Sequence, residues 1–202
     1  MVWLVLAAGR SSRFNGDKLL APLRDGRPLI LHTLEKLPQA TPVYVITRPD
    51  NPALIEVLVK HFRQSPNQAQ HLLVCPEAPL GMGHVIAWSI RTLRAQHNLN
   101  WIGILLGDMP FVAPQTFYDL QLLAERVGQP FIITPTFNGK RGHPVLFSHA
   151  MQLHLENLSG DVGAGHWLRD PGLAAMIIRH EVDDPGILDD IDTREQLQSY
   201  LA

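Results

Sequence analysis

The stretch Leu4-Val5-Leu6-Ala7-Ala8-Gly9-Arg10-Ser11-Ser12-Arg13-Phe14-Asn15-Gly16-Asp17-Lys18 begins as an apolar strand and turns abruptly into a loop of small and cationic residues. The run Val2 to Ala8 is too short for a membrane span and has no basic flank of a secretory signal, so it reads as a first buried strand. Further runs rich in Val, Ile and Leu stand at 43–47, 72–75, 101–106 and 131–134, with helix-like segments at about 28–37, 52–63, 84–96 and 114–127. This alternation predicts an α/β layer fold with a mainly parallel sheet. Pro28, Pro52 and Pro114 each stand near a helix start, where a missing N–H costs little.

Beyond about residue 135 the pattern loosens. A turn at 138–142 is followed by a short strand near 144–147, a helix near 148–157 and the glycine-broken stretch 159–165. A last strand near 176–180 and a helix from about 193 complete the reading, and no repeat or linker divides the 202 residues into separate domains.

With 46% hydrophobic residues the chain can build a core without disulfides or a structural metal. Seventeen Lys and Arg against nineteen Asp and Glu leave a net charge of −2, which argues against a nucleic-acid partner. Cys75 is the single cysteine, so neither an internal disulfide nor a thiolate zinc cluster is possible, and a reducing cytoplasmic setting is expected.

Ligands of open α/β sheets sit beyond the carboxyl ends of the strands, where this loop lies. Ala7, Ala8 and Gly9 leave room for backbone N–H groups to approach phosphate oxygens. The loop has neither G-x-G-x-x-G nor G-x-x-x-x-G-K-[ST] spacing, so it is no dinucleotide turn and no P-loop. Arg13 can fork onto two oxygens and Lys18 adds a compact charge, a pair suited to a triphosphate whose pyrophosphate departs. At this point a merely solvated surface loop remains the alternative.

Leu6, Ala7, Ala8, Gly9, Ser11, Arg13, Phe14 and Lys18 match the opening signature of nucleotidyltransferases with a glycosyltransferase-A-like fold. Asn15 stands where that signature usually has its second glycine, and Asn tolerates left-handed backbone. Later segments resemble the molybdenum cofactor cytidylyltransferases in particular. They are Gly81-Met82-Gly83, Leu106-Gly107-Asp108-Met109-Pro110, the run from Arg141 through Gly142 and His143 to Phe147, Gly160 to Ala164, and Asp190-Ile191-Asp192-Thr193. Val85 departs from the family, which usually has Ser there.

The resemblance implies a Rossmann-like three-layer α/β/α sandwich, with a nucleotide-binding half at about 1–135 and an acceptor-binding half at about 136–202. It implies transfer of CMP from CTP to the phosphate of molybdopterin, with release of pyrophosphate and, downstream, a recipient molybdoenzyme. Arg13, Lys18 and Asp108 would be catalytic. Leu6 through Ser11, Arg10 included, and Gly81, Met82 and Gly83 would bind the nucleotide. Arg141, Gly142, His143 and Asp161 would meet the acceptor. Asp108 would ligate Mg²⁺, with Asp190 and Asp192 as candidates for a second carboxylate and Asp161 ranked below them. CTP follows from the family trend that Leu-Ala-Ala-Gly accompanies cytidylyl transfer, with the Ala8 methyl narrowing the base pocket. The same chemistry on another phosphorylated acceptor or with GTP, and a non-catalytic cofactor-binding module, are the competing readings.

Several residues have a plainer reading from the sequence. Asp108 can start a turn, and Asp192 or Thr193 can cap the last helix with Glu195 or Gln196 closing a capping box. His143 before Pro144 can be a turn residue rather than a phosphate or substrate contact. The ten histidines are scattered without H-E-x-x-H, Ser11 and Ser12 lack a nucleophile elbow, and the four tryptophans fall in apolar patterns.

Overall fold

The computed structural model describes residues 1–14, 16–65, 69–96, 99–128 and 131–201. Eight strands form one sheet: β1 (Val2–Leu6), β2 (Val43–Thr47), β3 (Gln70–Val74), β4 (Trp101–Leu106), β5 (Ile132–Phe137), β6 (Lys140–Arg141), β7 (Val145–Ser148) and β8 (Ile177–Glu181). Their order is β3-β2-β1-β4-β7-β5-β6, with β8 paired to β5. The first four strands run parallel. β7 is antiparallel to both β4 and β5, because the link from β5 to β7 is a tight reversal and a parallel return needs a long crossover.

Successive strand residues face opposite sides, so the apolar run of β1 feeds two cores. Trp3, Val5 and Ala7 enter one, against α1 (Leu29–Glu35), α2 (Pro52–Gln64), α4 (Pro114–Arg126) and α6 (Arg194–Leu201). Val2 and Leu4 enter the other, under α3 (Met82–Gln96) and α5 (His149–Leu155). Helices on both faces of a mostly parallel sheet give the expected three layers. Gly103 has a steric reason: it pairs with Trp3, and a Cβ there would lie 2.2 Å from the indole.

Elements depart from the sequence reading where polar residues or proline hide them. β3 begins at Gln70 because, as an edge strand that is only partly covered, it tolerates Gln70 and His71. β5 continues past Pro135 to Phe137, carried by its pairing with β8. The stretch after α5 forms two 3-10 segments, Ala164–Arg169 and Pro171–Met176, which no periodicity announces. No described helix is long and apolar enough to cross a membrane.

The chain steps outward from β1 to β2 and β3, then returns to place β4 on the other side of β1. The carboxyl ends of β1 and β4 therefore form a topological switch point. Leu6 pairs with Leu106, and Gly107 N–H donates to the Leu6 carbonyl at 2.9 Å, so the loops after both strands leave the sheet side by side.

Candidate active site

The loop after β1 is held at its far end. Phe14 is buried, its N–H donates to the Ser11 carbonyl at 2.9 Å, and its ring lies under the Arg194 guanidinium at 5.6 Å. Arg194 Nε also donates to the Phe14 carbonyl at 3.2 Å, tying the last helix to the first loop. Asn15 lies outside the described residues. Asp17 caps the 3-10 turn Lys18–Leu20 by accepting from Leu19 N–H at 3.1 Å, and its other oxygen accepts from Asn51, which caps α2. Lys18 thus projects from a turn fixed on both sides.

Three carboxylates meet where Lys18 points. Asp108 leaves the end of β4, and the Ile191 N–H donates to its carbonyl at 3.1 Å, bringing Asp190 and Asp192 alongside. One oxygen from each of Asp108, Asp190 and Asp192 lies within 4.8 Å of the others. Lys18 Nζ is ion-paired to Asp108 and donates to Asp192 Oδ1 at 2.8 Å, while Arg13 reaches Asp192 Oδ2 at 2.7 Å.

The electrostatics of this cluster are those of charges crowded out of water. Burial pushes the Asp108 carboxyl above its ordinary value, and the neighbouring Lys18 only partly pulls it back. For Lys18 the order is reversed: burial lowers its pKa, but Asp108 and Asp192 together leave it raised. Asp108 Oδ1 is buried without a hydrogen-bond partner among the described residues. Unpaired buried carboxylate oxygen beside two more hard oxygen donors fits a divalent cation of the Mg²⁺ type, which takes one or two carboxylates and keeps waters or substrate phosphates.

Asp192 does not cap the last helix. Thr193 Oγ1 accepts from Gln196 N–H at 3.2 Å, and Gln196 Oε1 accepts from the N–H groups of Thr193 and Asp192 at 2.8 and 2.7 Å. This capping box leaves the Asp192 carboxylate to the cationic loop.

A cleft of ≈ 580 Å³ opens over the cluster. Leu6, Ala7, Ala8, Gly9, Arg10, Ser11, Arg13, Lys18, Gly81, Met82 and the three clustered carboxylates all line it. Val85 lines it too, so the cleft has a methyl group where a hydroxyl would stand. Two of the sequence candidates are placed as follows. Gly83 does not line this cleft: its N–H donates to the Gly160 carbonyl at 2.8 Å, and a Cβ there would lie 2.7 Å from the Ser159 carbonyl oxygen. Asp161, expected among the acceptor residues, lies on this first cleft against Gly81, where a Cβ would come within 2.5 Å of its carboxylate.

A second cleft of ≈ 570 Å³ shares Leu6, Met82 and Leu106 with the first. Ile104, Val145 and Phe147 give it an apolar floor, and Arg141, Gly142 and His143 stand on its wall. The Arg141 guanidinium is engaged, donating to the Leu168 carbonyl. Gly142 is required by packing, since a Cβ would lie 2.2 Å from the Ile187 carbonyl oxygen. Burial lowers the pKa of His143 despite the opposing influence of the Ile104 carbonyl, Asp108 and Asp190, which favours a neutral imidazole.

The profile of the MobA-like NTP transferase domain matches residues 3–179. The chain belongs to that family. Bacillus subtilis "Purine catabolism protein PucB" is 29% identical over 197 residues, 97% of this chain and 93% of that protein. A "Probable molybdenum cofactor guanylyltransferase" of Thermococcus sibiricus is 51% identical over 116 residues, 57% of this chain and about half, 51%, of the relative. Among solved structures, Rv0371c of Mycobacterium tuberculosis H37Rv superposes with a TM-score of 0.75 at 23% identity, covering 99% of this chain and 96% of that one. The Archaeoglobus fulgidus molybdopterin-guanine dinucleotide biosynthesis protein A does so with a TM-score of 0.64 at 18% identity, covering 100% and 97%. These structural likenesses concern the fold of this MobA-like chain.

The residues that hold the site in place carry no pattern that marks them in the sequence. Asp17 and Asn51 are an Asx turn and a helix cap, each visible singly, but their contact joins positions far apart in the chain. Arg194 gave no signal beyond its charge.

Proposed function

We propose that this MobA-like transferase moves a cytidylyl group from CTP to the terminal phosphate of a molybdopterin-type cofactor and releases pyrophosphate. The observation that carries the proposal is the junction of two clefts at Leu6, Met82 and Leu106, with Lys18, Arg13 and the three carboxylates on the first cleft. Two substrates in adjoining clefts can present an acceptor oxygen to the α-phosphorus opposite the departing pyrophosphate.

Asp108, with Asp190 and Asp192, would hold Mg²⁺, which when bound neutralises charge on the phosphates. The chain's own part is positioning and electrostatics. N–H groups of the loop after β1 bind the phosphates, and Arg13 and Lys18 stabilise charge gathering on pyrophosphate as the bond from its oxygen to the α-phosphorus breaks. Both cations must first leave Asp192, and binding of nucleotide and cation supplies the competing charges. The acceptor phosphate attacks as an anion, so no general base is needed. The proposed domain plan assigns the first cleft chiefly to the N-terminal half and the second chiefly to the C-terminal half.

Molybdenum cofactor as acceptor is supported by the names of the Thermococcus relatives. CTP is supported by Ala8, which lines the first cleft and narrows it by a methyl group. Those relatives' names favour GTP as the second reading. Pyrophosphate release with CTP, GTP, ATP and UTP, each with and without molybdenum cofactor, decides between them. CTP with cofactor is expected to give the largest kcat/KM; a larger value with GTP corrects the base, and no release in any pair refutes the enzyme reading.

A further inference from the structure

The second cleft has an edge that phosphate transfer does not use. His166 and Arg169 belong to the 3-10 segment Ala164–Arg169, where residues three apart lie on the same edge. Both line the second cleft and neither lines the first. They therefore stand away from the shared wall of Leu6, Met82 and Leu106, where the transferred phosphate would be.

The two side chains offer opposite hydrogen-bonding character. His166 Nδ1 lies 2.9 Å from the Gly163 carbonyl. A carbonyl only accepts, so Nδ1 carries the hydrogen and the neutral ring is left with Nε2 as an acceptor. Arg169 is exposed, has no hydrogen-bond or ionic partner among the described residues, and presents a planar set of donors. The edge is held from behind: Trp167 packs edge-on to Phe147 at 6.2 Å and to His154 at 6.1 Å, and Arg141 holds the Leu168 carbonyl.

We propose that His166 and Arg169 form a recognition edge for a planar heterocycle carrying an N–H and a C=O side by side, the pyrimidinone ring of a pterin. The N–H donates to His166 Nε2 and the C=O accepts from Arg169, while the ring lies over the apolar floor of Ile104, Val145 and Phe147. Arg141 is then a positioning residue that holds the segment bearing Arg169. This assignment rests on the molybdopterin reading, since it specifies how the non-reacting end of that acceptor is held.

The test uses 6-hydroxymethylpterin, which has the ring edge but no phosphate, titrated by its own fluorescence into the wild type, Arg169→Met and His166→Phe, which keep bulk but supply no donor or acceptor. Saturable binding is expected in the wild type, unchanged by saturating CTP and weakened about tenfold in either variant, a loss typical of one removed hydrogen bond to a well-oriented partner. Melting temperature is expected to be unchanged in Arg169→Met, because that side chain supports no other described residue. Equal binding by wild type and Arg169→Met overturns the proposed edge. Displacement by CTP places the pterin in the wrong cleft and overturns it as well, as does displacement by inorganic phosphate, which marks Arg169 as an anion site. Absence of pterin binding also overturns it. Pyrophosphate release with molybdenum cofactor judges the parent reading separately: release without a pterin edge leaves the transferase reading standing.

Discussion

Asp108 is the residue on which the proposed transfer depends most. The residue is 8% exposed, and its carboxylate faces Lys18 and two further carboxylates and has one oxygen with no partner among the described residues. Asp108→Asn keeps the shape and removes the charge. Turnover is expected to fall about 100-fold, the usual scale for deleting one preorganised electrostatic group. Circular dichroism should show the fold retained, and unchanged pyrophosphate release in the variant would refute the role of Asp108. His143 makes a different prediction. Its depressed folded-state pKa means that folding favours the neutral ring, so its stabilising contribution is complete above the ordinary value of about 6.5 and lost as pH falls through the lower folded value. Melting temperature should therefore drop between about pH 7.5 and 5 more steeply in the wild type than in His143→Gln. Equal slopes would show that His143 is not the titrating group.

At the scale of elements, the last helix serves the site more than the core. Its capping box relieves Asp192 of the capping role, and Arg194 braces Phe14 beneath the loop after β1. Thr193→Ala removes the hydroxyl that meets Gln196 N–H and is expected to cost about 1 kcal/mol. Denaturant unfolding measures that loss, and a rise in nucleotide KM exceeding any fall in kcat would show that the cap positions Asp192. Much of the element plan is legible from the sequence because buried parallel strands must be apolar and helices announce their starts with proline. β1, β2 and β4 follow this rule. The 3-10 segments between 164 and 176 do not, since three-residue periodicity over so short a length leaves no amphipathic signature. For the same reason the edge bearing His166 and Arg169 escapes sequence reading. Within the site, strand-end residues such as Asp108 are legible because topology dictates where strands end. Asp17–Asn51 and Arg194–Phe14 are tertiary contacts between distant positions, and no local pattern encodes them.

At the scale of the molecule, the reversal of strand order at β1 and β4 sets one cleft over the switch point, and β7, inserted antiparallel beside β4, floors the other. Their shared wall of Leu6, Met82 and Leu106 makes the two clefts one continuous surface. A dinucleotide product spanning them should bind about 100-fold tighter than either of its halves, because the second contact is made at the high effective concentration set by a short covalent link. Equilibrium displacement tests this: the cytidylyl dinucleotide should displace both a labelled nucleotide and a bound pterin, whereas CMP should displace only the nucleotide. If the dinucleotide displaces one probe and leaves the other, the two clefts do not hold the two halves of one product. The junction at Leu6, Met82 and Leu106 would then be a packing contact rather than the place of transfer.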